Sequence, residues 1–297
     1  MVADLSRFGV WTGALDQQPS SRAVEIVAEF EAMGWGAVWI PEAVGRDPFV
    51  HAGLLLGGTE RIVVATGIAS IFARDAMAMN ACWQTVSEAF PGRFLLGLGV
   101  SHRPMVEGLR GHDYSSPLTA MRDYLTRMDD AFFIGARPAQ PPERVLAALG
   151  PKMLELAREQ ARGAHPYLVP PEHTAQAREI LGPDALLAPE QKVVLETDPA
   201  RAREVARATL AIYLPGLPNY ANNLRRLGYS EDDLAAPLSD HLVDAVVAWG
   251  DIDAVTARIR AHHDAGADHV AVQVLPMDDV DRVVQDHRRI AEALELT

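Results

Sequence analysis

The sequence predicts an α/β protein, a (β/α)8 TIM barrel that fills residues 1–297 as a single domain. Three observations carry that expectation. Short apolar runs alternate with longer amphipathic segments from one end of the chain to the other. Eight such runs occur, each followed by helical or irregular helical matter. The chain has 297 residues, and a barrel of this kind takes about 250. A Rossmann arrangement needs fewer strands and a phosphate fingerprint after the first, where Thr12-Gly13-Ala14-Leu15 supplies none.

Phe8 to Trp11 reads as the first strand, and Ser20-Ser21 starts a helix that Gly34 stops. Ala37 to Ile40 is the second strand, ended by Pro41, and Phe49 to Leu56 a short apolar helix. Arg61 to Gly67 is the third, its unbroken apolar run typical of a parallel strand buried on both faces. Asp75 caps the next helix, which Pro91-Gly92 ends before strand four at Phe94 to Gly99. Leu118 to Phe133 is helical, Arg144 to Ala148 a strand, and Met153 to Ala161 a helix. Pro166 to Val169 reads as strand six and Thr174 to Leu181 as its helix. Lys192 to Leu195 is strand seven, followed by a helix over Pro199 to Leu214. Leu214 to Trp249 is too long for a plain loop and is read as a helical insertion before strand eight. Ala254 to Ala265 is helical, His269 to Val274 is the last strand, and Asp278 to Leu294 closes the chain.

Composition narrows the function. Acidic residues number 40 against 27 Lys and Arg, a net charge of −13 that repels nucleic-acid backbones and anionic lipid. No nucleic acid and no membrane are expected as partners. The longest stretch without a charge or histidine, Ala208 to Leu224, holds Pro215, Pro218 and three asparagines and cannot span a bilayer. The single cysteine, Cys82, allows no internal disulfide and fits a reducing cytoplasm. The start, with its early Asp4 and no long apolar core, is no signal peptide. Cytoplasmic localisation follows.

In barrels the active site lies at the carboxyl ends of the strands. That rule selects Trp11-Thr12, Pro41-Glu42, Thr66-Gly67-Ile68 and Val100-Ser101-His102 by position alone, with Gly150-Pro151-Lys152 after strand five and Tyr167 to His173 around strand six. Glu42 serves either as a site acid or as an exposed turn residue, and His102 either as a proton carrier or as a solvated loop histidine. Gly150-Pro151-Lys152-Met153 says more. Glycine ends a strand, proline takes the first helical turn, and free N–H groups follow beside a lysine. Such a start is a ready anion site, and also ordinary punctuation. Gly97-Leu98-Gly99 is followed by His102 where a dinucleotide fingerprint needs glycine. His262 and His263 point to different helix faces, so no metal site is expected.

At these residues the sequence resembles the luciferase-like monooxygenase superfamily, and within it the deazaflavin (coenzyme F420)-dependent oxidoreductases of actinobacteria. The likeness is carried by Phe8 to Trp11, Gly34 to Glu42, Arg46-Asp47-Pro48, Ala65 to Ile68 with Ala73-Arg74-Asp75, and Pro91 to His102. Leu146 to Leu154, Arg162 to Ala164 and Ala265 to His269 continue it. A composition rich in Ala, Arg, Leu and Gly with few Lys resembles that of actinobacterial proteins.

The resemblance implies a bulge after strand three with a non-proline cis peptide at Gly67-Ile68, backing the cofactor ring. It places the cofactor phosphate on Gly150, Pro151, Lys152 and Met153, in agreement with the anion site. Glu42, Thr66, Gly99, Val100 and Ser101 then frame the ring, with Glu42 near its pyrimidine edge. The sugar-phosphate dehydrogenases of this superfamily carry Asp-His after strand two; here Glu42-Ala43 replaces them, which removes that substrate. His102 becomes the proton-handling candidate, with Glu42 second. Coenzyme F420 is the expected cofactor and FMN the alternative, with a small organic substrate. A deazaflavin lacks the ring nitrogen that stabilises an oxygen adduct, so it implies hydride transfer. A cofactor-binding protein without turnover is the third reading. A homodimer through the apolar helices Phe49 to Leu56 and Met77 to Val86 is expected.

Overall fold

The computed structural model describes residues 4–214 and 216–296. Met1 to Ala3, the first residues of the start read above for a signal peptide, lie outside them, as do Pro215 and Thr297. The first half follows the expected alternation closely. β1 (Phe8–Trp11) leads to α1 (Ser20–Ala32), β2 (Ala37–Ile40) to α2 (Pro48–Gly57), and β3 (Val63–Thr66) with a short β4 (Ala69–Ser70) to α3 (Ala76–Ala89). β5 (Phe94–Gly99) precedes a π-helical turn over Pro104–Leu109 and α4 (Pro117–Asp129). Local chemistry sets these boundaries. Asp47 accepts from the N–H groups of Phe49 and Val50 to cap α2, and Asp75 accepts from Ala78 to cap α3.

The second half runs β6 (Arg144–Leu146), α5 (Pro151–Gln160), β7 (Gly163–Ala164), α6 (Pro171–Leu181), β8 (Leu186–Leu187), β9 (Glu190–Val194) and α7 (Pro199–Tyr213). Then come α8 (Pro218–Arg226), α9 (Glu231–Leu234), α10 (Asp240–Val246), β10 (Val247–Trp249), α11 (Ile252–Asp264), β11 (Val270–Val274) and α12 (Val280–Ala293). One strand falls elsewhere than the sequence suggests. β7 occupies Gly163–Ala164, not Pro166 to Val169. Pro166 has no N–H to give a ladder, and Leu168 sits at φ 59°, which breaks an extended run. The 214–249 segment holds three short helices and ends in β10, a strand outside the eight read from the sequence.

Among the described residues every strand pairing is parallel, in the order β10-β9-β11-β1-β2-β3-β5-β6-β7-β8, with β4 beside β5. β8 and β9 belong to one extended run, 186–194. Ala188 N donates to Ala164 O on one side, and Ala271 N donates to Pro189 O on the other, both at 2.9 Å. The sheet is thus curled until this run meets both flanks.

Residues alternate between two apolar layers. Val38, Ile40, Val64, Leu96 and Leu98 pack outward against Ile26, Phe30, Leu55 and Met79 of the helices. Trp11, Trp39, Ala65, Leu95, Val145 and Ala271 fill the inside of the curl. A third cluster joins α7, α8 and α10 through Leu210, Leu224, Leu242 and Val243. Among the described residues no helix is long and apolar enough to cross a membrane.

Candidate active site

The carboxyl ends of β3 and β5 are held together by backbone. The Gly67–Ile68 peptide is cis and not followed by proline, as the sequence resemblance implies. Gly67 N donates to Ile40 O at 2.8 Å, its carbonyl accepts from Trp11 Nε1 at 3.2 Å, and Ile68 O accepts from Glu42 N at 3.1 Å. Thr66 Oγ1 donates to Gly97 O at 2.7 Å and accepts from Gly97 N at 2.8 Å. Its fully buried hydroxyl is engaged by the neighbouring strand, so Thr66 shapes the bulge from behind. Close approach demands glycine here. A Cβ on Gly97 would lie 2.0 Å from Thr66 O, and one on Gly99 2.5 Å from the Ile68 side chain.

Glu42 lies at this bulge, with its carboxylate fully engaged. Oε2 accepts from Ser70 N at 2.7 Å and Arg74 Nη1 at 3.0 Å, while Arg74 Nη2 bonds Oε1. The side chains of Arg74 and Glu42 are only 12% and 7% exposed. Arg74 also reaches Asp47 at 3.0 Å and stacks 5.0 Å from the centre of Phe49. Three donors fix the Glu42 carboxylate in place, an arrangement suited to orienting a neighbour.

Val100 and Ser101 carry the chain out of β5, with Ser101 at φ 54° and its carbonyl accepting from Tyr114 OH at 3.1 Å. His102 follows. Burial pushes its imidazole below the ordinary histidine range, and an interaction with the Asn219 side chain pulls it back up. Its Nδ1 is buried with no hydrogen-bond partner, and its ring centre lies 5.4 Å from that of Tyr220. A neutral, half-buried imidazole with one unengaged nitrogen is equipped to take or give a proton.

Across the mouth, Gly150 forms the N-cap of α5 without any side-chain cap, followed by Pro151 and exposed Lys152. Met153 N donates back to Gly150 O at 3.0 Å and its side chain packs on the core. A Cβ on Gly150 would meet only the Arg226 guanidinium, 3.5 Å away. Arg226, steered by Asn223 Oδ1 at 3.0 Å, is therefore a second cation at this helix start. Sequence reading missed it, because α8 reaches α5 only through the tertiary fold. The uncapped helix start, two cations and a glycine floor fit a phosphate.

The remaining wall is aromatic. Tyr167 OH lies 3.0 Å from Tyr213 OH and donates to Gln273 Oε1 at 2.9 Å. Trp11 is 5.1 Å from Tyr167, and Tyr220 touches both tyrosines. Behind it, His165 Nδ1 donates to Ala188 O at 2.7 Å, leaving buried Nε2 without a partner near Gly67. Burial holds His165 down at about 3. The strand-end rule selects Trp11 and Tyr167 by position, while Tyr213, Tyr220 and His165 carry no such signal in the sequence.

The luciferase-like monooxygenase family pattern matches residues 1–269, and the chain belongs to that family. A Mycobacterium tuberculosis protein, assigned by its name to the coenzyme F420-dependent oxidoreductases, is 27% identical over 327 residues, covering 90% of this chain and 94% of the relative. Among solved structures, an F420-dependent secondary alcohol dehydrogenase in complex with an F420-acetone adduct superposes with a TM-score of 0.77 at 14% identity, over 96% of this chain and 98% of that one. A type II Baeyer-Villiger monooxygenase of Pseudomonas putida in complex with FMN gives a TM-score of 0.69 at 16% identity, over 97% of both chains. These likenesses establish a shared fold.

Proposed function

We propose that this protein is an oxidoreductase that binds coenzyme F420 at the mouth of a (β/α)8 barrel and moves a hydride between it and a small organic substrate. One observation carries the reading. The cis Gly67–Ile68 bulge and the cationic start of α5 lie at the carboxyl ends of strands of one curled sheet. The first offers a flat backbone wall for a ring, the second a seat for a phosphate. The 27% identical M. tuberculosis relative, named for F420, supports the choice of cofactor.

When bound, the deazaflavin supplies a carbon centre that exchanges hydride. The chain's own residues do the rest. Gly67, Ile68, Gly99, Val100 and Ser101 frame the ring, with Thr66 bracing them. Gly150 to Met153, with Arg226, hold the phosphate. Glu42, clamped by Arg74, orients the bulge through Ser70 N and its own N–H to Ile68 O. His102 holds the proton that balances the hydride, and the aromatic wall excludes water.

FMN would fit the same framework, and the FMN-bound neighbour keeps monooxygenation as the second reading. Titration of purified protein with each cofactor separates them. Binding of F420 with no oxygen consumed by the reduced complex in air supports the proposal. Tight FMN binding with oxygen uptake overturns it.

We further propose a homodimer through α2 and α3. Val50 and Leu54 on α2 and Met77 on α3 are 65%, 44% and 59% exposed, a large apolar outlay for an outer helix. Sedimentation at micromolar concentration reads it directly.

A further inference from the structure

The inside of the curled sheet carries an ion pair that the reading above leaves unused. Glu190 and Lys192 project inward from β9, since the intervening Gln191 bonds His262 of α11 and Val193 packs on the helical layer. Lys192 is fully buried, and its Nζ lies 3.0 Å from Glu190 Oε2. That oxygen also accepts from Leu168 N at 3.0 Å, while Glu190 Oε1 is buried with no partner. Burial pushes the lysine down and the glutamate up, and the attraction between them opposes both shifts.

The pair points at the mouth. A strand rises about 3.3 Å per residue, so Lys192 sits about 6.6 Å nearer the carboxyl end than Glu190. The positive end of the pair therefore faces the site. Its Nζ stands 3.6 Å over the centre of the Tyr167 ring and 5.4 Å from that of Tyr213. Tyr167 in turn packs on Trp11, which donates to the carbonyl of the cis peptide. Two ring contacts separate the ammonium from the wall assigned to the cofactor ring.

Residue choice reinforces this. The chain has 25 arginines and only two lysines, Lys152 and Lys192. An arginine-rich sequence has placed a compact ammonium on its inner wall. Filling that space with apolar side chains of equal volume would avoid the desolvation cost of two charges.

We propose that Lys192, held in place by Glu190, is a positioning residue that favours the reduced over the oxidised form of the cofactor bound at the mouth. The inference rests on the F420 reading above. When a donor C–H bond breaks, its proton and two electrons arrive at the ring as hydride. The donor carbon is left oxidised, and the ring becomes one unit more negative until a proton follows. The positive end of the pair, behind the aromatic wall, stabilises that added charge more than it stabilises the oxidised ring.

The test is equilibrium binding rather than turnover. The full-length protein is titrated with oxidised F420 and, anaerobically, with reduced F420, as wild type, as Lys192→Met and as the neutral pair Glu190→Gln/Lys192→Met. The ratio of the two dissociation constants should shift against the reduced form by about tenfold in Lys192→Met, the scale of one charge acting at an effective dielectric near 20, and in the same direction by a smaller factor in the neutral pair, where a dipole is lost and not a net charge. The double variant strands no carboxylate and reports the ratio if the single variant does not fold. An unchanged ratio, or equal weakening of both forms, overturns the role of Lys192 and leaves the cofactor assignment standing. Failure of the wild type to bind either form removes the assignment and this inference together.

Discussion

The two sides of the mouth are built from different materials. Around β3 and β5 the site is backbone: a cis peptide, two glycines that admit no Cβ, and one threonine that ties the strands together. Around β7, β9 and β11 it is side chains: buried His165, Lys192 and Gln273 packed with the partly buried Tyr167 and Tyr213. A backbone wall has a fixed shape and no titratable group. A side-chain wall can be retuned residue by residue, at the cost of burying polar groups, two of which, His165 Nε2 and Glu190 Oε1, are left without a partner. The difference teaches where variation between relatives should be sought.

Acid should break the side-chain half first. Burial holds His165 and His262 down at about 3 and His269 at about 4. Each is hydrogen-bonded as a neutral ring: His269 Nε2 accepts from Trp39 Nε1 at 3.0 Å, and His262 Nε2 donates to Gln191 Oε1 at 2.9 Å. These folded-state values lie below the unfolded value near 6.5, so the unfolded chain binds more protons in between. Stability is intact above about pH 6.5 and is lost as pH falls toward 4. These three rings contribute a slope of about 4 kcal/mol per pH unit near pH 5, and His51, which burial also holds down at about 4, adds to it. Denaturant melts from pH 7 to 4.5 measure it. A flat profile would mean that these rings are not buried neutral.

His102 sits on the seam, carried by β5 yet packed on Tyr220 of α8. Replacement by asparagine should lower turnover about 10²-fold with cofactor affinity unchanged. Weaker affinity at equal turnover would reassign His102 to binding. The smallest effect is expected at the proposed phosphate seat. Lys152→Ala and Arg226→Ala should each weaken cofactor binding about tenfold, the worth of one charge-assisted contact. If Arg226→Ala changes nothing, the α8 side contributes no contact and the seat belongs to α5 alone.

The same contrast governs how much was legible in the sequence. Gly150 to Lys152 could be read because a helix start demands particular residues in consecutive order, while the bulge at Gly67-Ile68 came only through the family resemblance carried by runs such as Pro91 to His102. Asp75 marked its helix because a cap acts within three residues. Arg226 could not be read, because nothing local in Asn222 to Leu227 signals that α8 lies against the start of α5. Arg74 was visible only as part of a motif, and its clamp on Glu42 spans 32 positions. Glu190 fell outside the expected strand because a charged residue breaks the apolar pattern that marks buried strands. Pro166 to Val169 showed the opposite error, an apolar run whose proline and left-handed leucine preclude a regular strand.

The run 186–194, which meets both flanks of the curled sheet, has its register fixed by charge as well as by shape. Side chains alternate faces along it, so a slip of one position would exchange the two sides. Lys192 would then enter the apolar layer beneath the helices, and Val193 would replace it inside against Tyr167. Gln191 would lose His262, and Glu190 would leave its hydrogen bond from Leu168 N. The pair thus acts as an assembly key that favours one seating of this stave between its neighbours.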